Sequence, residues 1–91
     1  MKYSFHPEEE FLDAIDYYDE KGLGLDFAFE VYATIERIKS FPKAWQIIEG
    51  NVRRILVNRF PYGVFYSEDE ELYIVAVMHL HQHPEYWKHR I

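Results

Sequence analysis

Four of the chain's five histidines fall within "AVMHLHQHPEYWKHR", and three of them, His79, His81 and His83, occupy alternate positions. On an extended strand that alternation puts three imidazoles on one face, a pattern that suits a zinc ion or lets one imidazole act as acid or base. A metal is nevertheless not expected. Pro84 follows at once, and neither a cysteine nor a carboxylate lies between Met78 and Pro84. Successive side chains on one face also stand about 6 to 7 Å apart, wide for a tetrahedral ion. Exposed histidines without a specific role, and acid/base or phosphate contact at one of them, both remain open readings. A second set is cationic: Arg53, Arg54 and Arg59 lie within seven residues of one another. Arg53 and Arg54 are neighbours and point to opposite faces of any strand that holds them, while Arg53 and Arg59 share a parity. The arginine on a covered face must reach an edge or pair with an acid from "EEEFLDAIDYYDE", and the other can line an open groove.

The elements that position these residues can be read from periodicity. "KYSFH" is a short aromatic strand ended by Pro7. Pro7 suits the first turn of a helix, and Glu8, Glu9 and Glu10 follow beside the positive end of its dipole. Phe11, Leu12, Ile15 and Tyr18 continue at helical spacing until "KGLG" stops them. A second apolar stripe, Leu25, Ala28, Val31, Tyr32, Ile35 and Ile38, ends at "SFP". So short a link between two helices implies an antiparallel hairpin. The period then changes. "VRRILVNRF", "VFYSE" and "LYIVAVMHL" are β-branched and apolar, separated by "PYG" and "EDEE", and three such strands on short turns make an antiparallel meander. In the last of them Leu72, Ile74, Ala76 and Met78 alternate with Tyr73, Val75 and Val77, so both faces are apolar and the strand belongs inside the sheet. "PEYWKHRI" has the make-up of a short terminal helix opened by Pro84. The expected fold is α+β, an antiparallel sheet covered on one face by a two-helix hairpin, in the order β-α-α-β-β-β with a short C-terminal helix.

Residues 1–91 are too few for two ordinary cores, so a single domain is expected. Seven Phe, eight Tyr and two Trp compensate with large side chains for a small core, and disorder is not expected on composition. There is no cysteine to staple the fold or bind metal, which suits a reducing compartment. No apolar run has the form of a signal peptide, and "LYIVAVM" is far too short to span a bilayer, so a cytoplasmic protein with no membrane partner is expected. The net charge of −6 is unevenly spread. Residues 1–42 carry ten carboxylates against four basic side chains, while 43–66 carry Lys43, Arg53, Arg54 and Arg59 against Glu49 alone. A polyanion would have to be held by a local patch against the field of the whole molecule. The aromatic clusters "FPYGVFY" and "PEYW" suit corner packing better than base stacking. No phosphate loop, nucleophile elbow or paired-carboxylate site is present, and no cofactor is implied.

Taken as a set, "RRILVNRFPYGVFY" and "LYIVAVMHLHQHPEYWKHR", following two helices joined by "GLG", resemble the RelE/ParE superfamily of small toxins from bacterial toxin-antitoxin modules. The similarity covers nearly the whole chain, and "RFPYG", "AVMH" and "PEYW" resemble its ParE-like branch in particular. The resemblance implies a toxin of the plasmid-stabilisation type that arrests growth unless a cognate antitoxin binds it in a hetero-oligomer. The superfamily holds two unlike chemistries. ParE-like members poison DNA gyrase by binding, which here would involve Arg53, Arg54, Arg59, His79, His81, Trp87 and Arg90. RelE-like members cleave mRNA on the ribosome, which needs a base, an acid and a cation at the phosphate. On that alternative His81 would be base or acid, with Arg54 or Arg59 as the cation. The chain departs from both patterns. Gly63 stands where the ribonucleases commonly carry an arginine, and His81 and Gln82 stand where many ParE-like relatives carry two. A non-toxic relative that only binds its antitoxin is the third reading.

Overall fold

A computed structural model describes residues 3–5, 8–68 and 71–80. Helix α1 spans Glu8–Asp19 and α2 spans Gly24–Ser40. Their junction is a Schellman turn. Gly22 takes φ +74°, the Leu23 N–H donates to the Tyr18 carbonyl at 2.8 Å, and the Gly22 N–H donates to the Asp19 carbonyl at 3.0 Å. Glycine is also required at the next helix start, because a Cβ on Gly24 would stand 2.8 Å from an Asp19 carboxylate oxygen and 3.2 Å from its Cα. Two helices are thereby folded back on each other by the "KGLG" that interrupts the periodicity.

The strands are β1 (Tyr3–Phe5), β2 (Ile47–Glu49), β3 (Val52–Leu56), β4 (Tyr62–Glu68) and β5 (Leu72–His79), in one sheet of order β1-β5-β4-β3-β2. The expected meander is present as antiparallel β3-β4-β5. The α+β class and the helix hairpin on one face are as expected, with two additions. β1 lies parallel to β5, which gives β5 neighbours on both sides. β2 is a further short edge strand, turned into β3 through Gly50 at φ +57°. The terminal helix expected from "PEYWKHRI" lies outside the described residues.

Apolar contact between hairpin and sheet forms the main core. Phe11, Ala14 and Tyr18 from α1 and Phe27, Val31, Ile35 and Ile38 from α2 meet Ile55, Val64, Tyr66, Leu72, Ile74 and Val77. The stripe read on α2 is rotated from the one actually buried. Leu25 is 86% exposed and Tyr32 49%, whereas Phe27 is fully buried, and on α1 Leu12 is exposed while Ala14 is buried. The reason is Thr34. An apolar count passes over it, yet it sits fully buried on the true core face, its hydroxyl donating to the Glu30 carbonyl at 2.7 Å.

The faces of β5 also differ from strict alternation. Phe65 pairs with Ala76 but Tyr66 pairs with Ile74, leaving Val75 as an extra residue. This bulge turns Val75 and Ala76 to the same side. Leu72, Ile74 and Val77 consequently face the helices, while Val75, Ala76 and Met78 join Val52 and Phe65 in a second cluster on the other face. Both faces of the strand are buried, as its composition requires.

Candidate functional site

β3 separates its two arginines as strand geometry demands, and the separation decides what each can do. Arg53 shares the helix side with Ile55 and stands opposite Tyr66. Its guanidinium donates to the Trp45 carbonyl at 2.7 Å and the Lys43 carbonyl at 3.3 Å, and lies 3.7 Å from the Glu68 carboxylate. The acid that meets it thus comes from β4 rather than from α1. Beside it the Tyr66 hydroxyl donates to the Pro42 carbonyl at 2.8 Å. Burial raises the Tyr66 pKa, an effect opposed by the Arg53 charge and reinforced by Glu68. Arg53 and Tyr66 together pin the carbonyls of the α2-β2 loop and so fix Trp45.

Arg54 points to the face opposite the helices and is exposed. Its stem passes over Gly63, where an added Cβ would lie 3.4 Å from the Arg54 Cγ, 3.3 Å from the Phe65 ring and 3.4 Å from Leu80. Arg54 borders a 620 Å³ groove shared with Arg37, Trp45, Gln46, Leu56 and Asn58. Arg37 also donates to the Thr34 hydroxyl at 3.0 Å, which ties this side of the groove to α2. Sequence reading missed Arg37 and Trp45, because nothing in their local spacing joins a helix residue and a loop residue to a strand edge.

Arg59 sits in the β3-β4 turn with φ +73°, a left-handed backbone that costs a non-glycine residue about 1–2 kcal/mol. Its guanidinium lies 3.6 Å from Asp26 and 5.6 Å from the centre of the Phe60 ring. Both members of the ion pair are about half exposed, so the pair does little to offset the strain. His79 faces Tyr62 across β4 and β5, ring centres 5.2 Å apart at 78°. It opens on a 320 Å³ pocket with Glu10, Asp13, Tyr17 and Tyr62. Burial, and secondarily the neighbouring Tyr18 and Tyr17, hold the Tyr62 hydroxyl above its ordinary pKa.

The expected site residues therefore divide. The Arg59 turn and His79 share one end of the sheet, joined by the Leu80 N–H donating to the Pro61 carbonyl at 2.9 Å. Arg54 lies farther along β3 on the open edge, and Arg53 is engaged in structure. His81, Trp87 and Arg90 lie outside the described residues. Among the described residues no group of three or more His, Cys, Asp or Glu side chains is placed to hold a metal ion, and no helix is long and apolar enough to cross a membrane.

No family model matches the sequence, and no curated protein matches it. Among solved structures, the chain is similar to one from the "Chromosomal ParDE TA system from P. aeruginosa", with a TM-score of 0.61 over 86% of this chain and 91% of that one, at 14% identity. At that identity the likeness is one of fold: this chain has the α+β fold of a chain from a ParDE toxin-antitoxin system.

Proposed function

We propose that the chain is the toxin of a toxin-antitoxin pair, held inactive by a cognate antitoxin and acting on DNA gyrase by binding rather than by chemistry. The observation that carries the reading is the fold likeness to a ParDE chain over most of both molecules, which agrees with the ParE-like set "RFPYG", "AVMH" and "PEYW". The arrangement of side chains supports binding over catalysis. Arg59 is held in a strained backbone at the sheet end that also carries His79, and strain of that kind is characteristic of functional loops. Arg53, by contrast, already has its partners within the fold.

The endoribonuclease reading keeps one specific observation in its favour. The Arg54 stem runs past Gly63, its Cγ 3.4 Å from where an added Cβ would stand, so a cationic residue already borders the position where a phosphate-binding arginine would begin. His81 would then supply the base or acid.

Pulse labelling after tightly controlled expression in a bacterium lacking the antitoxin separates these readings. DNA synthesis failing first supports gyrase poisoning. Protein synthesis failing first replaces it with RNA cleavage, and His81→Ala should then lower cleavage by about a hundredfold or more. Soluble accumulation with neither failing removes the toxin reading and leaves an antitoxin-binding relative.

A further inference from the structure

The outer face of α2 has no part in either proposed activity, yet three large apolar side chains line it. Leu25, Phe29 and Tyr32 recur at four- and three-residue spacing, which puts them on one side of the helix. They are 86%, 71% and 49% exposed, whereas Phe27, Val31 and Ile38 on the opposite side are buried in the core. Single exposed apolar residues are ordinary, but a contiguous stripe of them marks an interaction surface.

The same helix carries what a second copy needs to fit it. Ala33 lies one turn beyond Phe29 on the same ridge and is partly exposed, so a large side chain has a small one beside it. Charge is also divided along the helix. Asp26 and Glu30 lie in its first half, while Arg37 and Lys39 outnumber Glu36 in its second. Two copies of α2 packed antiparallel, with Phe29 of each on Ala33 of the other, bring Asp26 of each beside Arg37 of the other, because both pairs are centred on nearly the same point of the helix. Parallel packing would set Asp26 against Asp26 instead. Within one chain Asp26 and Arg37 are about three turns apart, roughly 16 Å along the axis, and cannot meet. Asp26 is held there only by an ion pair with Arg59 that is about half exposed, and Arg37 donates to the Thr34 hydroxyl.

We infer that the outer face of α2 is a self-association surface, on which a second copy of this chain packs antiparallel through Leu25, Phe29 and Tyr32. The outer face of α1 stays out of the contact, since its exposed Asp13, Asp16 and Glu20 would face carboxylates of the other copy. Those carboxylates also oppose an anionic bilayer or a nucleic acid as occupant. A foreign helix can use the stripe, but the match of Phe29 to Ala33 and of Asp26 to Arg37 within one sequence favours an identical partner. A helix about 25 Å long offers less than the roughly 800 Å² per partner of a stable complex, so the dimer is weak, with Kd on the order of 10–100 µM. The inference goes beyond the toxin reading and requires neither an antitoxin nor a target.

Sedimentation equilibrium of the full chain, from about 5 to about 500 µM, tests it, with the circular dichroism spectrum of every variant compared with that of the wild type. A reversible monomer-dimer equilibrium is expected, and Phe29→Glu should weaken it by about tenfold or more. Asp26→Arg and Arg37→Asp should each weaken it by about threefold or more, and the chain carrying both reversals should recover to within about twofold of the wild type. Such recovery can come only from contact between copies. The inference is overturned by a chain that stays monomeric at about 500 µM, by a dimer that Phe29→Glu leaves intact, or by a double reversal that associates no better than the single ones.

Discussion

Replacing either of two adjacent arginines by methionine should give opposite results, and the contrast tests the division of labour on β3. Methionine keeps most of the apolar stem and removes the charge. At Arg53 the change removes a charged hydrogen bond to the Trp45 carbonyl at 2.7 Å and a weaker one to Lys43, and it leaves Glu68, only 13% exposed at its side chain, without its cation. A hydrogen bond from a charged donor contributes about 1.5–3 kcal/mol, and an orphaned, mostly buried acceptor adds about 1 kcal/mol or more. Arg53→Met should therefore cost about 3 kcal/mol, which in a domain of this size lowers Tm by roughly 12–24 °C. Among the described residues the Arg54 side chain has no such partners, so Arg54→Met should change stability by no more than about 0.5 kcal/mol. Urea unfolding followed by circular dichroism, with Cm and slope compared across the wild type and both variants, measures the difference. The assignment is wrong if Arg53→Met costs less than about 1 kcal/mol, or if Arg54→Met costs as much as Arg53→Met.

Arg59→Gly should relieve the positive-φ strain and be neutral or stabilising by up to about 1 kcal/mol, whereas Arg59→Val should destabilise by more than about 1 kcal/mol. If the glycine variant is stabilised and still arrests growth fully, Arg59 is not part of the target surface. Gly63→Arg restores a cation at the sheet face against neighbours that are all side-chain atoms, at 3.3–3.4 Å. Gly63 is buried, so the stability cost should be about 1–3 kcal/mol, and toxicity should rise; an unchanged growth curve would remove Gly63 from the argument. Tyr66 has a folded pKa raised above 10.0, so its neutral form is favoured by folding. The associated stability is complete below pH 10 and is lost as pH rises through the folded pKa, so alkaline unfolding should shift upward in Tyr66→Phe even as that variant loses about 1 kcal/mol at pH 7 with the Pro42 bond. Target affinity should strengthen below about pH 6.5 as histidines such as His81 charge, and constant affinity between about pH 5.5 and 8 would refute that.

What could be read from the sequence follows from how local its causes are. The helix hairpin was legible because Gly22 and Gly24 act within a few residues, through a Schellman turn and a close approach. The opposed directions of Arg53 and Arg54 were legible because adjacent strand residues always diverge. The buried face of α2 was misread by a rotation because Thr34, a polar residue, completes the core stripe once its hydroxyl has a carbonyl to bond. The bulge at Val75 was invisible because an all-apolar strand gives alternation no contrast with which to register a slip. The groove was invisible for a different reason. Arg37, Trp45 and Arg54 belong to a helix, a loop and a strand, and only the tertiary fold brings them together.

Three arginines within seven residues thus come to three separate ends, and backbone geometry rather than residue type separates them. Arg53 faces the helices, where a charge can remain only if carbonyls and a carboxylate receive it, and it finds Trp45, Lys43 and Glu68. Its engagement fixes the loop that carries Trp45. That loop forms one wall of the groove that Arg54, one residue on and facing the other way, also lines. Substituting Arg53 would accordingly reach the groove indirectly, by releasing Trp45, whereas substituting Arg54 reaches it directly. Arg59, beyond the end of β3, belongs with neither of them. It is placed by a strained turn beside His79 and Leu80, at the end of the sheet from which the histidine-rich segment continues.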